Sequence, residues 1–138
     1  MELELLTLAG VKFKGDVTQV SLVAADGEMG ILPHHEPFTA MLMPGPVTVH
    51  TKGKREVFAT YGGLIEVTSE RVRVLADEAE HEDDLVEHEV EEALKRAEDM
   101  KANAKDKHEL SRAQHLVDRQ SVRLNVARMR RGGRPRNS

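Results

Sequence analysis

Cysteine and tryptophan are absent from the 138 residues, tyrosine occurs once and phenylalanine three times. Without thiols, disulfides, thiolate metal centres and cysteine nucleophiles are all excluded. With so few aromatics a core must be built from Val, Leu, Ile, Ala and Met. At this length that suffices for one ordinary domain or a small domain plus an appendage, not for a large multidomain enzyme. No run approaches the roughly eighteen apolar residues of a membrane helix. The acidic start Met1, Glu2, Leu3, Glu4 lacks the basic region of a secretory signal and the arginines of a transit peptide. The chain is therefore expected to be soluble and to begin at residue 1. Its net charge of -4 gives no global attraction to nucleic acid.

What is present changes character along the chain. From Glu2 to Ala76 the apolar residues recur with period two and are largely β-branched: Val17, Val20, Leu22; Val47, Val49; Leu64, Ile65, Val67; Val72, Val74. Turn signals fall at Gly15-Asp16, Asp26-Gly27, Pro44-Gly45-Pro46, Lys52-Gly53-Lys54 and Ser69-Glu70, too closely spaced for intervening helices. The pattern predicts an antiparallel sandwich or barrel with hairpin tips at Asp26-Gly27 and Lys52-Gly53, and a bulge or close backbone approach at Gly62-Gly63.

Between Leu64 and Arg131 there is neither glycine nor proline, and after Ala76 the period becomes helical. Val86, Val90, Ala93, Ala97, Met100 and Ala104 share one stripe, and Leu110, Ala113, Val117, Leu124 and Ala127 form another. Asp84 with Glu87, and Asp106 with Glu109, read as capping-box starts. Two helices of roughly 20 residues, about 30 Å each, joined tightly over Asn103 to Asp106, must be antiparallel neighbours. Arg131-Gly132-Gly133-Arg134-Pro135 is expected to end the second helix. The predicted fold is an N-terminal antiparallel β-sandwich over residues 1–82, a C-terminal antiparallel two-helix hairpin over 83–131, and a flexible tail over 132–138.

Charge is segregated within this hairpin. Asp77 to Glu92 holds ten carboxylates and no Lys or Arg, whereas Arg119 to Arg136 holds seven arginines and no acid. Antiparallel packing sets the acidic start of the first helix beside the basic end of the second, at termini whose dipoles favour each charge. Arg112, Arg119, Arg123 and Arg130 fall within about 40° of one another on an ideal wheel, away from the apolar stripe. Such a row of guanidiniums suits an acidic partner helix.

Reactive constellations are missing. There is no Gly-x-x-x-x-Gly-Lys-Ser/Thr, no Gly-x-Gly-x-x-Gly and no Gly-x-Ser-x-Gly. His34, His35 and Glu36 could serve a free-standing metal-binding protein or enzyme, but neighbours on an extended segment point to opposite sides, and a partner-contacting or packed loop is the better reading. His81 and His88, and His108 and His115, are two helical turns apart rather than one, which fits solvated positions. The acidic run lacks a calcium loop. An arginine-rich terminus could bind phosphates, but it lacks interleaved aromatics and sits beside competing acids, so no nucleic-acid partner is expected.

Gly27-Glu28-Met29-Gly30-Ile31-Leu32-Pro33-His34-His35-Glu36-Pro37 resembles the signature loop of the epsilon subunit of F-type ATP synthases, Gly-Glu-(Leu/Met)-Gly-Ile-Leu-Pro-x-His-x-Pro. Further stretches agree in order and spacing: Pro44-Gly-Pro-Val, Gly62-Gly-Leu-Ile-Glu-Val, Val72-Arg-Val-Leu-Ala-Asp, Ser111-Arg112-Ala113 and Arg123-Leu124-Asn125-Val126-Ala127. The resemblance covers nearly the whole chain.

It implies a non-catalytic subunit of the rotating central stalk, with the sandwich bound to the gamma subunit and seated on the c-ring. Glu28 and His35 become the candidate c-ring contacts, on a loop stiffened by Pro33 and Pro37; for His35 a purely local hydrogen bond is the competing reading. The hairpin is implied to be a mobile brake on ATP hydrolysis, permissive when folded and inhibitory when extended toward the catalytic α/β subunits. Arg119, Arg123 and Arg130 are the candidate contacts to the acidic helix-turn-helix of the catalytic β subunits, with Arg112 nearer the hinge. Association with a membrane, at the cytoplasmic face of the bacterial plasma membrane or its organellar equivalent, is implied only through the complex. Some bacterial members bind ATP through (Ile/Leu)-Asp-x-x-Arg-Ala, but here the stretch is Leu85-Val86-Glu87-His88-Glu89-Val90, and Glu cannot pair with phosphate as Arg does. No nucleotide site, metal or cofactor is expected.

Overall fold

The computed structural model describes residues 1–133, with side chains to Arg130. Two compact units make up the chain, Met1–His81 and a second from Glu82 onward.

The first unit holds ten strands: β1 (Glu2–Thr7), β2 (Gly10–Asp16), β3 (Gln19–Ala24), β4 (Gly27–Ile31), β5 (Phe38–Leu42), β6 (Gly45–Thr51), β7 (Lys54–Thr60), β8 (Gly63–Val67), β9 (Arg71–Ala76) and β10 (Ala79–His81). They hydrogen-bond in the order β10-β7-β6-β3-β5-β8-β9-β1-β2, with β4 added to β3. At β3–β5 the path is joined by the single pair Ala24–Leu42. There the sheet divides into two layers, β10-β7-β6-β3-β4 and β5-β8-β9-β1-β2. Leu3, Leu5, Val20, Leu22, Ile31, Leu42, Val47, Phe58, Ile65 and Val74 fill the core between them. The β-branched, alternating sequence produces this arrangement because every second side chain of a strand faces the same way.

Hairpins turn at Asp26, where Gly27 has φ +120°, and at Lys52-Gly53, where Gly53 has φ +74°. Thr68 Oγ1 accepts the Glu70 and Arg71 amides in the turn between β8 and β9. Gly62-Gly63 is a close approach: a Cβ on Gly63 would overlap the Leu75 carbonyl. Two features depart from the sequence reading. Gly15-Asp16 is the end of β2 rather than a turn, the first reversal lying at Leu8-Ala9. Pairing is antiparallel except between β1 and β9, which run parallel.

The second unit opens with a 3-10 turn, Glu82–Asp84, followed by α1 (Glu87–Ala102) and α2 (Lys107–Gly133). The helices are unequal, 16 and 27 residues, about 24 and 40 Å long, not a matched pair. Asp106 caps α2, its Oδ1 accepting the Glu109 amide at 2.8 Å while Glu109 Oε2 accepts from Lys105 N at 3.3 Å. Asp84 caps nothing: it lies in the 3-10 turn, and the N-cap of α1 is Val86, without a side-chain bond. Leu85, buried at 4% exposure, occupies the position between that turn and the helix, so the helix begins later than the acidic residues indicate. On α1 the buried positions are Val90 and Ala97, while Val86 and Met100 of the expected stripe are exposed. On α2, Ala113, Leu124, Val126 and Ala127 are buried and Leu110 is exposed. The helix continues through Gly133, past the expected stop; the rest of the expected tail lies outside the described residues.

Candidate functional site

The outer face of the layer β5-β8-β9-β1-β2 carries an unusual row. Register pairs Met41 with Leu64, Leu64 with Leu75, Leu75 with Leu6 and Leu6 with Val11. One apolar residue per strand therefore lines up across five strands, about 19 Å at the usual strand spacing. Met41 is 63%, Val11 62%, Leu75 40% and Leu64 39% exposed. Nothing in a period-two pattern flags this row, since each member is one outward residue on its own strand; only the register assembles it.

Two positions along the strands, the next outward row is charged and internally neutralised. Arg73 Nε lies 3.0 Å from Glu4 Oε1 and its Nη1 3.7 Å from Glu66; Lys14 Nζ lies 3.7 Å and Arg71 3.6 Å from Glu4. The Arg73 hydrogen bond is the main reason the Glu4 carboxyl sits below its ordinary pKa, desolvation opposing it and the charges of Arg73, Arg71 and Lys14 assisting. A paired charge row thus borders the apolar row, a juxtaposition of apolar and polar surface of the kind found at protein interfaces.

The candidate residues Glu28 and His35 are not brought together. Glu28 is exposed near the start of β4, opposite Val23, whereas His35 lies in the loop beyond the strand's other end. The span from Glu28 to Ile31 alone is about 10 Å. His34, at φ +70°, is the sole non-glycine with positive φ among the described residues. His35 is half-buried: its Nδ1 donates to the Glu36 carbonyl at 2.9 Å, its amide donates to Leu32 O, and its ring lies 5.0 Å from that of Phe38. The local reading of His35 thus describes its ring in this structure. Among the described residues no group of three or more His, Asp or Glu is placed to hold a metal ion.

At the end of the first unit, β10 lies antiparallel on β7. Tyr61 donates to Glu80, His81 Nε2 lies 3.0 Å from Glu56, and the His81 ring meets Phe58 edge-on.

In the helical unit the acidic start and basic end do meet. Arg130 Nε is 2.8 Å from Asp83, and Arg128 reaches Glu87 at 3.4 Å and Glu91 at 3.8 Å. Arg128 was not singled out by the arginine spacing because it lies on the opposite side of the wheel from the stripe. The stripe itself is not an open row. Arg112 is exposed, but Arg119, Arg123 and Arg130 are half-buried, Arg123 donating to Gln120 at 2.7 Å. Val126, on the same side, is fully buried.

The described surfaces thus comprise an apolar row on one sheet face and a helical hairpin whose terminal arginines pair with its own acidic start. Residues 1–82 match the family described as ATP synthase, Delta/Epsilon chain, beta-sandwich domain. The ATP synthase epsilon chain of Herpetosiphon aurantiacus is 37% identical over 131 residues, 95% of this chain and 96% of the relative. That of Bacillus velezensis is 34% identical over 127 residues, 92% and 96% of the two chains. A chain in the solved mitochondrial ATP synthase of Euglena gracilis, a structure of OSCP, F1 and c-ring, shares the fold at TM-score 0.78 and 22% identity, over 86% of this chain and 76% of its own. The chain belongs to the epsilon-chain family of ATP synthases.

Proposed function

We propose that this chain is a non-catalytic subunit of the ATP synthase central stalk. In this reading the sandwich binds gamma and the c-ring and helps couple ion flow to ATP synthesis, while the helical hairpin restrains ATP hydrolysis by extending toward the catalytic α/β subunits. The observation that carries it is the apolar row Met41-Leu64-Leu75-Leu6-Val11. Covering it with a partner's apolar side chains removes large side chains from water, at about 25 cal/mol per Å². Gamma is the proposed occupant, and the c-ring is assigned to the separate surface of Glu28 and the His35 loop. Membrane association, at the cytoplasmic face in a bacterium or its organellar equivalent, comes through the complex; no helix among the described residues is long and apolar enough to cross a membrane.

Leu64→Glu with Leu75→Glu tests the seat. Both side chains point outward, so the variant is expected to keep its fold by circular dichroism and to lose gamma in co-purification, affinity falling by about a hundredfold or more. Undiminished recovery of gamma sinks the assignment. For the brake, Arg119→Ala with Arg123→Ala is expected to raise ATP hydrolysis by the assembled complex, and unchanged hydrolysis counts against it. ATP binding is expected to be weak or absent, because Glu89 stands where the nucleotide-binding pattern has Arg; micromolar affinity in a titration contradicts this.

A further inference from the structure

The helical unit holds an acidic surface of its own against arginines at the end of α2. Asp83 takes Arg130 at 2.8 Å, and Glu87 and Glu91 take Arg128 at 3.4 and 3.8 Å. Glu87 and Glu91 stand one turn apart on α1, Asp83 precedes them in the 3-10 turn, and the three ion pairs set all of them beside the last turns of the antiparallel α2. We propose that Asp83, Glu87 and Glu91 act as an internal competitor, occupying Arg128 and Arg130 so that an external carboxylate surface binds these arginines only by displacing them. Identifying that external surface with the catalytic subunits rests on the brake reading above; the competition itself rests on the contacts alone.

The geometry sets its strength. Arg128 is 53% and Arg130 41% exposed, and their acids are 22% to 48% exposed. Exposed pairs of this kind each shift an equilibrium by about 1.4-fold to fivefold, so the competitor tunes access and yields to a surface offering several carboxylates at once. Salt weakens both the internal and the external pairing.

The test uses the full chain with poly-L-glutamate as probe. Asp83→Asn/Glu87→Gln/Glu91→Gln is compared with Glu89→Gln/Glu92→Gln/Glu98→Gln, which removes the same charge from exposed positions of α1. The first variant is expected to bind the probe about three- to tenfold more tightly than the second, and adding Arg128→Ala/Arg130→Ala should abolish the gain. Equal affinity of the two triple variants overturns the proposal. If the first triple variant loses helical circular dichroism, Glu91→Gln is compared with Glu92→Gln; about a twofold advantage for Glu91→Gln supports the proposal and none overturns it. In hydrolysis by the assembled complex the first triple variant should inhibit more strongly. Tighter probe binding with unchanged hydrolysis leaves the competition standing and overturns the brake reading instead.

Discussion

At Gly63 the β8 backbone passes so near β9 that an added Cβ would overlap the Leu75 carbonyl oxygen and lie 2.9 Å from Ala76 Cα, at a φ of +149°. These are backbone atoms of the paired strand and cannot step aside as a side chain would, so Gly63→Ala is expected to cost about 3 to 5 kcal/mol, read as a lower urea midpoint. Glu4 answers to pH. Its carboxyl is held below the ordinary value chiefly by the Arg73 hydrogen bond, so its contribution is full above the unfolded pKa and disappears as pH falls through the lowered folded one. Glu4→Gln should therefore be less stable than the parent at neutral pH, with the difference closing in acid; a gap that persists unchanged in strong acid contradicts the assignment. Residue identity made Gly62-Gly63 readable in advance, since paired glycines before a strand have few other uses. The role of Glu4 was not readable, because its partner Arg73 is 69 residues away in sequence.

Among the elements, legibility followed solvent contact. Strands with one wet face, such as β3 and β9, alternate and were visible. In β7, Val57, Phe58, Ala59 and Thr60 are consecutively buried, so no alternation marks the strand. The helices were visible but their starts were not equally so. Both Asp84-Glu87 and Asp106-Glu109 have the spacing of a cap, yet only Asp106 accepts the amide it should. Asp106→Ala is accordingly expected to cost about 1 kcal/mol, and Asp84→Ala less than about half that, compared by thermal midpoint. Equal losses would show that the observed cap contributes nothing. The apolar outer row was illegible for a different reason: pairing between strands, not pattern within one, creates it.

For the whole molecule, the core cluster lies entirely within Met1–His81. A chain ending at His81 is thus expected to unfold cooperatively and to retain gamma, while losing restraint of hydrolysis; failure to fold would show that the first unit depends on the second. The parallel pairing of β1 with β9 has a consequence for biosynthesis. The earliest strand to leave the ribosome has one flank filled by β2 almost at once, but its other flank waits for residues 71–76. Until then Leu3 and Leu5 lack Val72 and Val74 beside them, and the nascent polypeptide has a reason to stay unfolded or chaperone-bound through most of translation. Protease resistance in a series of stalled ribosome complexes should accordingly rise in one late step, once β9 has cleared the exit tunnel, and not strand by strand.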